Sequence, residues 1–160
     1  MITGIYEAHL PVSDLTVSIP FYEKLGMKLT FQNERLAFLW IIEGESWLGL
    51  WESDRVELPY HPSIRHVAFR IDPESLGTVK EWLGQRNIEV RTAFKMTPEE
   101  QPLVLPNFPH AHAAIYFDDP DGNSLELIAF LDTDQTDAFQ MMSFEDWSER
   151  KRMQASPDTE

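Results

Sequence analysis

Three side chains of metal-ligating type stand out in this chain: His9, His66 and Glu126. Each lies in a short apolar segment that is typical of a β-strand, TGIYEAHL, IRHVAFRI and SLELIAFL. The chain has no cysteine, so thiolate nucleophiles and disulfides are excluded and any metal must be held by His, Asp or Glu. Imidazoles and carboxylates are suitable ligands for divalent zinc, iron, manganese or nickel.

The two histidines occupy matching places in a repeated pattern. His9 precedes Gly26 by 17 residues, and His66 precedes Gly84 by 18. In both halves a strand that carries the histidine is followed by a helix, a glycine and a further strand. Two similar βαβββ modules are therefore predicted, module one over residues 1–53 and module two over residues 64–131.

Strand alternation predicts which side chains share a face with the histidines. In WLGLW, Trp47, Gly49 and Trp51 alternate with leucines, and Glu126 alternates with leucines in SLELI. We expect the leucines to face the helices. The two tryptophans, the two histidines and Glu126 would then line the opposite, concave face of the sheet, where three ligand-type side chains converge.

The elements that position these residues follow from turn and capping residues. The first helix should end near Leu25, with a kink or a late start at Ser18 because Pro20 removes a backbone donor. In the second half a helix should be followed by a strand near residues 87–92. The proline-rich segment 93–112 fits no regular element, and we expect it to be an excursion over one edge.

Length and charge narrow the classes of function. A chain of 160 residues and 18.6 kDa fits one domain, predicted over residues 1–131 and followed by an acidic tail, 132–160, that is partly helical and then disordered. The net charge of −14 has the wrong sign for binding nucleic acid or anionic lipid. No apolar run is long enough to cross a bilayer, so we expect a cytoplasmic protein with a small-molecule substrate.

The chain resembles the vicinal oxygen chelate superfamily, which includes glyoxalases, bleomycin resistance proteins and extradiol dioxygenases. The resemblance covers about residues 4–131 and rests on HLPVSDL, FYEKLGMKL, RHVAFRI and DPDGNSLELI. It implies an α+β fold in which two βαβββ modules form a concave eight-stranded sheet around a divalent metal ion, and it implies a homodimer. Carried over by position, His9, His66 and Glu126 are the implied metal ligands.

One position departs from the pattern of the family. The fourth ligand position, often Glu or Gln in glyoxalase I and epimerase members, falls on Gly49. Glu52 has the wrong strand parity to replace it, unless a bulge shifts the strand. The absence of a carboxylate at residue 49 argues against glyoxalase I activity, because in those family members the carboxylate at this position also transfers a proton. The remaining set suits thiol transferases and ring-cleaving dioxygenases, and among enzymes a lyase, thiol transferase or dioxygenase is expected.

The predicted function is that of a metal-dependent enzyme acting on a small substrate that chelates the metal through adjacent oxygens, with the reaction type left open. Trp47 and Trp51 are the candidate substrate-binding residues, and His112 and Glu7 are the candidate catalytic residues. The alternative is a non-catalytic protein that binds and sequesters a small molecule such as a drug or antibiotic, as bleomycin resistance proteins do. The two alternatives differ in whether the bound molecule is turned over.

Overall fold

The computed structural model describes residues 5–56, 65–106, 111–131 and 139–155. Two sheets, of four and five strands, and a few helices make up these residues, which confirms the α+β class. The elements are β1 (Glu7–Val12), α1 (Leu15–Lys24), β2 (Lys28–Gln32), β3 (Leu36–Ile42), β4 (Ser46–Glu52), β5 (His66–Arg70), a 3₁₀ helix (Pro73–Gly77), α2 (Val79–Gly84), β6 (Leu103–Leu105), β7 (His112–Asp118), β8 (Ser124–Phe130), β9 (Met142–Ser143) and α3 (Phe144–Ala155).

The chain divides into two compact units, and the first of them is discontinuous in sequence. Unit 1 comprises Met1–Val67 and Asp118–Ser124, and unit 2 comprises Ala68–Phe117 and Leu125–Glu160. Unit 1 contains a four-stranded sheet in the order β1-β4-β3-β2, in which β1 and β4 are parallel and the other neighbours are antiparallel. The first half of the chain therefore has the expected βαβββ order.

Helix α1 covers one face of the sheet of unit 1 and contacts β3 and β4. Alternate strand residues on that face are fully buried, which removes their apolar surface from water. They are Leu10 and Val12 of β1, Ala37 and Leu39 of β3, and Leu48 and Leu50 of β4. The leucines of WLGLW thus face the helix, as alternation predicts.

The expected late start of α1 at Ser18 is wrong, because the helix begins at Leu15 and runs through Pro20. Its N-terminus is capped by Asp14, whose carboxylate accepts hydrogen bonds from the backbone N–H of Thr16 at 2.7 Å and from its hydroxyl at 2.6 Å. These bonds satisfy the first turn despite the proline that follows.

A buried polar network joins α1 to the segment Asp118–Ser124 within unit 1. The Tyr22 hydroxyl donates to Asp119 at 2.8 Å, and the side-chain amide of Asn123 donates to the carbonyl of Pro11 at 3.0 Å. Burial, together with the nearby Asp119 carboxylate, raises the pKa of the Tyr22 hydroxyl well above its usual value. Burial likewise raises the pKa of Asp119, although its hydrogen bonds from Asn123 and Tyr22 oppose the shift.

Unit 2 is built on a five-stranded sheet in the order β5-β8-β7-β6-β9, whose strand β5 begins in unit 1 at His66. In chain order, β5, the helical segment, β6, β7 and β8 repeat the βαβββ pattern. The additional strand β9 pairs with β6 and leads into α3, where Trp147 is buried against Leu76, Val104, Ala113 and Ala129.

The strand predicted near residues 87–92 is wrong, because only a single bridge joins Val90 to Phe117. Next to it, the side chain of Gln101 takes the place of a neighbouring strand. Its amide oxygen accepts from the backbone N–H of Tyr116 at 3.0 Å, and its NH₂ group donates to the carbonyl of Arg91 at 2.6 Å. The second strand of module two is instead Leu103–Leu105, inside the segment predicted to be irregular.

The described part of the tail contains β9 and α3, which ends at Ala155. Disorder is expected for the last residues of the chain. Residues 156–160 lie outside the described residues, as do 132–138. Among the helices of the described ranges, none has the length and apolar character that a membrane span requires.

Candidate functional site

The candidate site residues of unit 1 lie on the face of its sheet that is opposite α1. The parallel register of β1 and β4 pairs Glu7 with Trp47 and His9 with Gly49. Because side chains alternate along a strand, these four residues and Trp51 share this face. Within unit 1 the structure thus brings together four of the predicted site residues: Glu7, His9, Trp47 and Trp51.

The imidazole of His9 occupies the space above the backbone of Gly49. A Cβ atom on Gly49 would lie 2.3 Å from Nδ1 of His9 and 2.6 Å from its Cε1, far inside van der Waals contact. Glycine is therefore the residue that allows this ring position. A side chain at residue 49 and this position of the histidine ring therefore exclude each other.

Two hydrogen-bonded pairs fix the polar groups of this face. The indole N–H of Trp51 donates to Nδ1 of His9 at 2.7 Å, and that of Trp47 donates to Oε2 of Glu7 at 2.8 Å. Since Nδ1 accepts a hydrogen bond, the neutral imidazole carries its proton on Nε2. That nitrogen lies 3.4 Å from Oε1 of Glu7. Glu7 and His9 therefore form a carboxylate–imidazole pair on one strand.

Aromatic rings surround this pair; five of them contact one another, and Trp51 is joined to them through the His9 ring. Their centroids lie 4.6 Å apart for Tyr6 and Trp47, 5.1 Å for Trp40 and Trp47, and 5.4 Å for Phe38 and Trp47. Such tilted and edge-on contacts are favourable for aromatic pairs. We call this surface the aromatic face, formed by Tyr6, Phe31, Phe38, Trp40, Trp47 and Trp51.

The other predicted site residues lie on β5, β7 and β8. His66 is exposed, with its Nδ1 3.2 Å from the hydroxyl oxygen of Ser124. Glu126 is buried and follows Ser124 by two residues, so the two have the same strand parity. His112 is half-buried at the start of β7, opposite Leu105 of β6.

The donor types fit a divalent metal, since two imidazoles and a carboxylate leave coordination positions open on manganese, iron, nickel or zinc. The space that Gly49 leaves for His9 also fits a ring-nitrogen ligand at this position. Across the described ranges, however, no three His, Asp or Glu side chains are grouped closely enough to hold a metal ion. The centre of His9, His66 and Glu126 therefore stays a prediction.

Comparison with known proteins places this architecture in a family. Residues 4–127 match the profile of the Glyoxalase/Bleomycin resistance protein/Dioxygenase superfamily. The chain belongs to this superfamily. Metallothiol transferase FosB from Staphylococcus saprophyticus is 29% identical over 157 residues, which cover 93% of this chain and 94% of the relative. FosB from Bacillus licheniformis is 31% identical over 132 residues, which cover 79% and 75%.

The fold comparison agrees with this membership. An integron cassette protein from the mobile metagenome of the Halifax Harbour sewage outfall has a TM-score of 0.63. It is 24% identical in sequence, and the match covers 80% of this chain and 99% of the other. At this identity the likeness concerns the superfamily fold.

Two aromatic residues of the site were not anticipated from the sequence. Phe38 and Tyr6 extend the aromatic face beyond the tryptophans, and the alternation of Phe38 and Trp40 in LAFLWII is the pattern that could have indicated the first of them. Glu52 lies on the helix side of β4, where its Oε2 accepts from the backbone N–H of Leu15 at 3.2 Å. It therefore supports α1 and does not replace the carboxylate absent at Gly49.

Proposed function

We propose that this chain is a metal-dependent enzyme that transfers a thiol to a small substrate held through adjacent oxygen atoms. The observation that carries the proposal is the pairing of His9 with Gly49, because it leaves no carboxylate at the position on which lyase and epimerase members rely. The name metallothiol transferase, borne by both relatives, favours thiol transfer over the other branches.

His9, His66 and Glu126 would hold the metal, which fits their donor types. When bound, a divalent metal supplies a Lewis acid that polarises an oxygen of the substrate and stabilises the negative charge that develops there. In the transfer a carbon–sulfur bond forms, a carbon–oxygen bond of the substrate breaks, and the proton of the thiol ends on the released oxygen.

Glu7 is the proposed proton carrier. One of its oxygens is fixed by the indole of Trp47 at 2.8 Å, and the other lies 3.4 Å from the His9 imidazole, so the carboxylate is held beside the proposed ligand. It would accept the proton of the attacking thiol and pass it to the released oxygen. His112 remains the second candidate for this step, and Trp47 and Trp51 would bind the substrate.

The test is a thiol-consumption assay with L-cysteine, manganese and small epoxides that carry further oxygens. Metal-dependent loss of thiol, with a product mass equal to the sum of the two reactants, is expected. Oxygen uptake with catechols and iron(II), without thiol consumption, would instead identify a dioxygenase. Retention of less than about 0.2 equivalents of metal after reconstitution would contradict both the thiol transferase and the dioxygenase.

The aromatic face favours a second candidate, a non-catalytic protein that sequesters a small molecule. Exposed rings in contact with one another are suited to binding whether or not a reaction follows. This candidate predicts tight binding of a ligand that is recovered unchanged after prolonged incubation. Chemical analysis of the released ligand separates it from the enzyme.

A homodimer is proposed from the family resemblance. Sedimentation equilibrium should give a mass near twice the 18.6 kDa of one chain. A single-chain mass at all concentrations would contradict it. The expected cytoplasmic location likewise stays a prediction, which fractionation of cells expressing the protein would test.

A further inference from the structure

We propose that the aromatic face binds a planar aromatic group that carries a positive charge, and that this is the part of the substrate not held through oxygen. The inference rests on the proposed function in placing a substrate at this face. The site itself is argued from unit 1 alone, from the rings, the carboxylate among them, and the scarcity of basic residues on its strands.

The rings are accessible. Tyr6, Phe31 and Trp51 remain 59%, 47% and 47% exposed, although large aromatic side chains are usually among the most buried. The ring centroids of Phe31 and Phe38 are 5.7 Å apart, so an exposed ring contacts a partly buried one. A flat ligand could therefore cover several rings at once and remove their surfaces from water.

The indole N–H groups of Trp47 and Trp51 already form hydrogen bonds within the protein. Trp47 donates its N–H to Glu7, and Trp51 donates its N–H to His9. These groups are therefore not available as donors to an anionic ligand. What they present outward is the electron-rich surface of the rings, which attracts cations.

A carboxylate stands among these rings. Glu7 is 42% exposed in its side chain, accepts from Trp47 with one oxygen, and has the other 3.4 Å from Nε2 of His9. A carboxylate has about four lone-pair positions, so Glu7 keeps acceptor capacity for a cation. Aromatic surfaces beside a carboxylate are the combination that favours an organic cation over a neutral molecule of the same shape.

Basic residues are scarce on the same strands. Lys28 is the only Lys or Arg in β1, β2, β3 and β4. It lies opposite Trp40 at the β2 edge, and its ammonium is 3.1 Å from Glu43. With a net charge of −14 on the whole chain and the Glu7 carboxylate among the rings, the charge balance disfavours anions and favours cations.

The experiment is calorimetric titration of the full chain, treated with chelator, with four compounds. They are N-methylquinolinium as the planar cation, quinoline at pH 7 as its neutral counterpart, naphthalene-2-sulfonate as a planar anion, and methylphosphonate as a small anion. We expect the cation to bind at least about fivefold more tightly than quinoline, and both anions to bind more weakly than quinoline. Because metal is removed, the result does not depend on the metal centre, whose failure would appear separately in metal retention.

Variants localise the binding. Glu7→Gln should weaken binding of the cation by roughly three- to fivefold and leave quinoline unchanged, as expected for the loss of one partly exposed charge. Trp51→Leu should weaken both compounds by about tenfold, within the range of stacking and cation contributions. The matched controls are Glu43→Gln, an exposed carboxylate beside Lys28, and Trp82→Leu, whose ring is covered by Arg86 at 3.9 Å. Both should bind within twofold of the unmodified chain.

Four results would overturn the inference. They are tighter binding of either anion than of the cation, no binding of the cation at millimolar concentration, and equal effects of Glu7→Gln and Glu43→Gln. The fourth is a change of tryptophan fluorescence with protein concentration that follows dimerisation without any added compound, since a second copy would then cover the face. Far-ultraviolet circular dichroism of each variant excludes misfolding as the cause of lost binding.

Discussion

The His9 imidazole lies across the backbone of Gly49, its partner on the neighbouring parallel strand, and leaves no space there for a side chain. This relationship accounts for the departure from the family pattern at residue 49. A carboxylate at this position and the observed ring position of His9 exclude each other. The absence of a side chain at residue 49 is thus coupled to the placement of the His9 ring.

Gly49→Ala should displace the His9 ring and break its hydrogen bond with Trp51. We expect metal affinity to fall at least about tenfold. The free energy of unfolding should fall by only about 1 kcal/mol, the lower end of overpacking costs, because the obstructed group is a side chain that can turn. Metal titration and urea unfolding measure the two effects. Gly84→Ala is the control, since a Cβ there meets no atom within 4 Å.

Trp51→Phe should strengthen metal binding. A metal on Nε2 of His9 requires the proton of the ring to move to Nδ1, where the Trp51 indole now donates. Removing that donor removes a competing hydrogen bond of about 0.5–1.5 kcal/mol, which corresponds to a two- to tenfold gain in affinity. Competition with a metal-binding dye measures the gain. Weaker metal binding by Trp51→Phe would mean that the indole supports the metal-bound ring.

His66→Ala should abolish metal retention with little loss of stability. The side chain is exposed on β5, and surface substitutions usually change the unfolding free energy by less than about 0.5 kcal/mol. Elemental analysis of purified protein measures retention, and urea unfolding measures stability. Glu43→Gln, which changes an exposed carboxylate on the β3–β4 turn, is the control and should retain metal normally. Normal metal content in His66→Ala would exclude His66 as a ligand.

Tyr22→Phe should make the protein more tolerant of alkaline pH. The raised pKa keeps the buried hydroxyl protonated in the folded chain, whereas an unfolded chain releases this proton near pH 10. The folded state thus binds more protons than the unfolded state, so stability is full below pH 10 and falls above it by about 1.4 kcal/mol per pH unit. Urea unfolding between pH 9 and 11 should show this slope, and the variant should lack it. Parallel slopes would mean that Tyr22 ionises normally.

Gln101→Leu should destabilise unit 2 by about 1–3 kcal/mol. The substitution keeps a side chain of similar size at the buried position but leaves the backbone N–H of Tyr116 and the carbonyl of Arg91 without the partner that Gln101 provides. Hydrogen exchange at the Tyr116 amide should accelerate in the variant. Unchanged protection there would show that another group holds this edge of β7.

The parts of the fold that alternation controls were predictable. Leu48 and Leu50 face the helix, and Trp47, Gly49 and Trp51 face away, because one buried face fixes the parity of a strand. The duplicated βαβββ order followed from the spacing of His9 and His66 to the glycines behind the helices. The family resemblance had the same basis, since its motifs lie on these strands and on the turn before β8.

Features that depend on the hydrogen bonds of a single side chain were not predictable from alternation and spacing. The strand near residues 87–92 fails because Gln101, ten residues beyond Arg91, occupies the hydrogen-bonding positions that a strand would need. The late start of α1 is wrong because Asp14 accepts hydrogen bonds from Thr16 and caps the helix, which begins at Leu15 and includes Pro20. The proposed metal centre would need His9, His66 and Glu126 from three different strands, and sequence spacing alone does not show that these side chains meet.

Because Asp118–Ser124 belongs to unit 1, the first repeat of the sequence alone lacks part of this compact unit. A fragment ending at Val67 would retain Tyr22 and Pro11 but lose the acceptor of the phenol and the donor to the carbonyl. Two buried polar groups would then be left unsatisfied in an isolated first repeat. An isolated first repeat should therefore be less stable than the same segment within the intact chain.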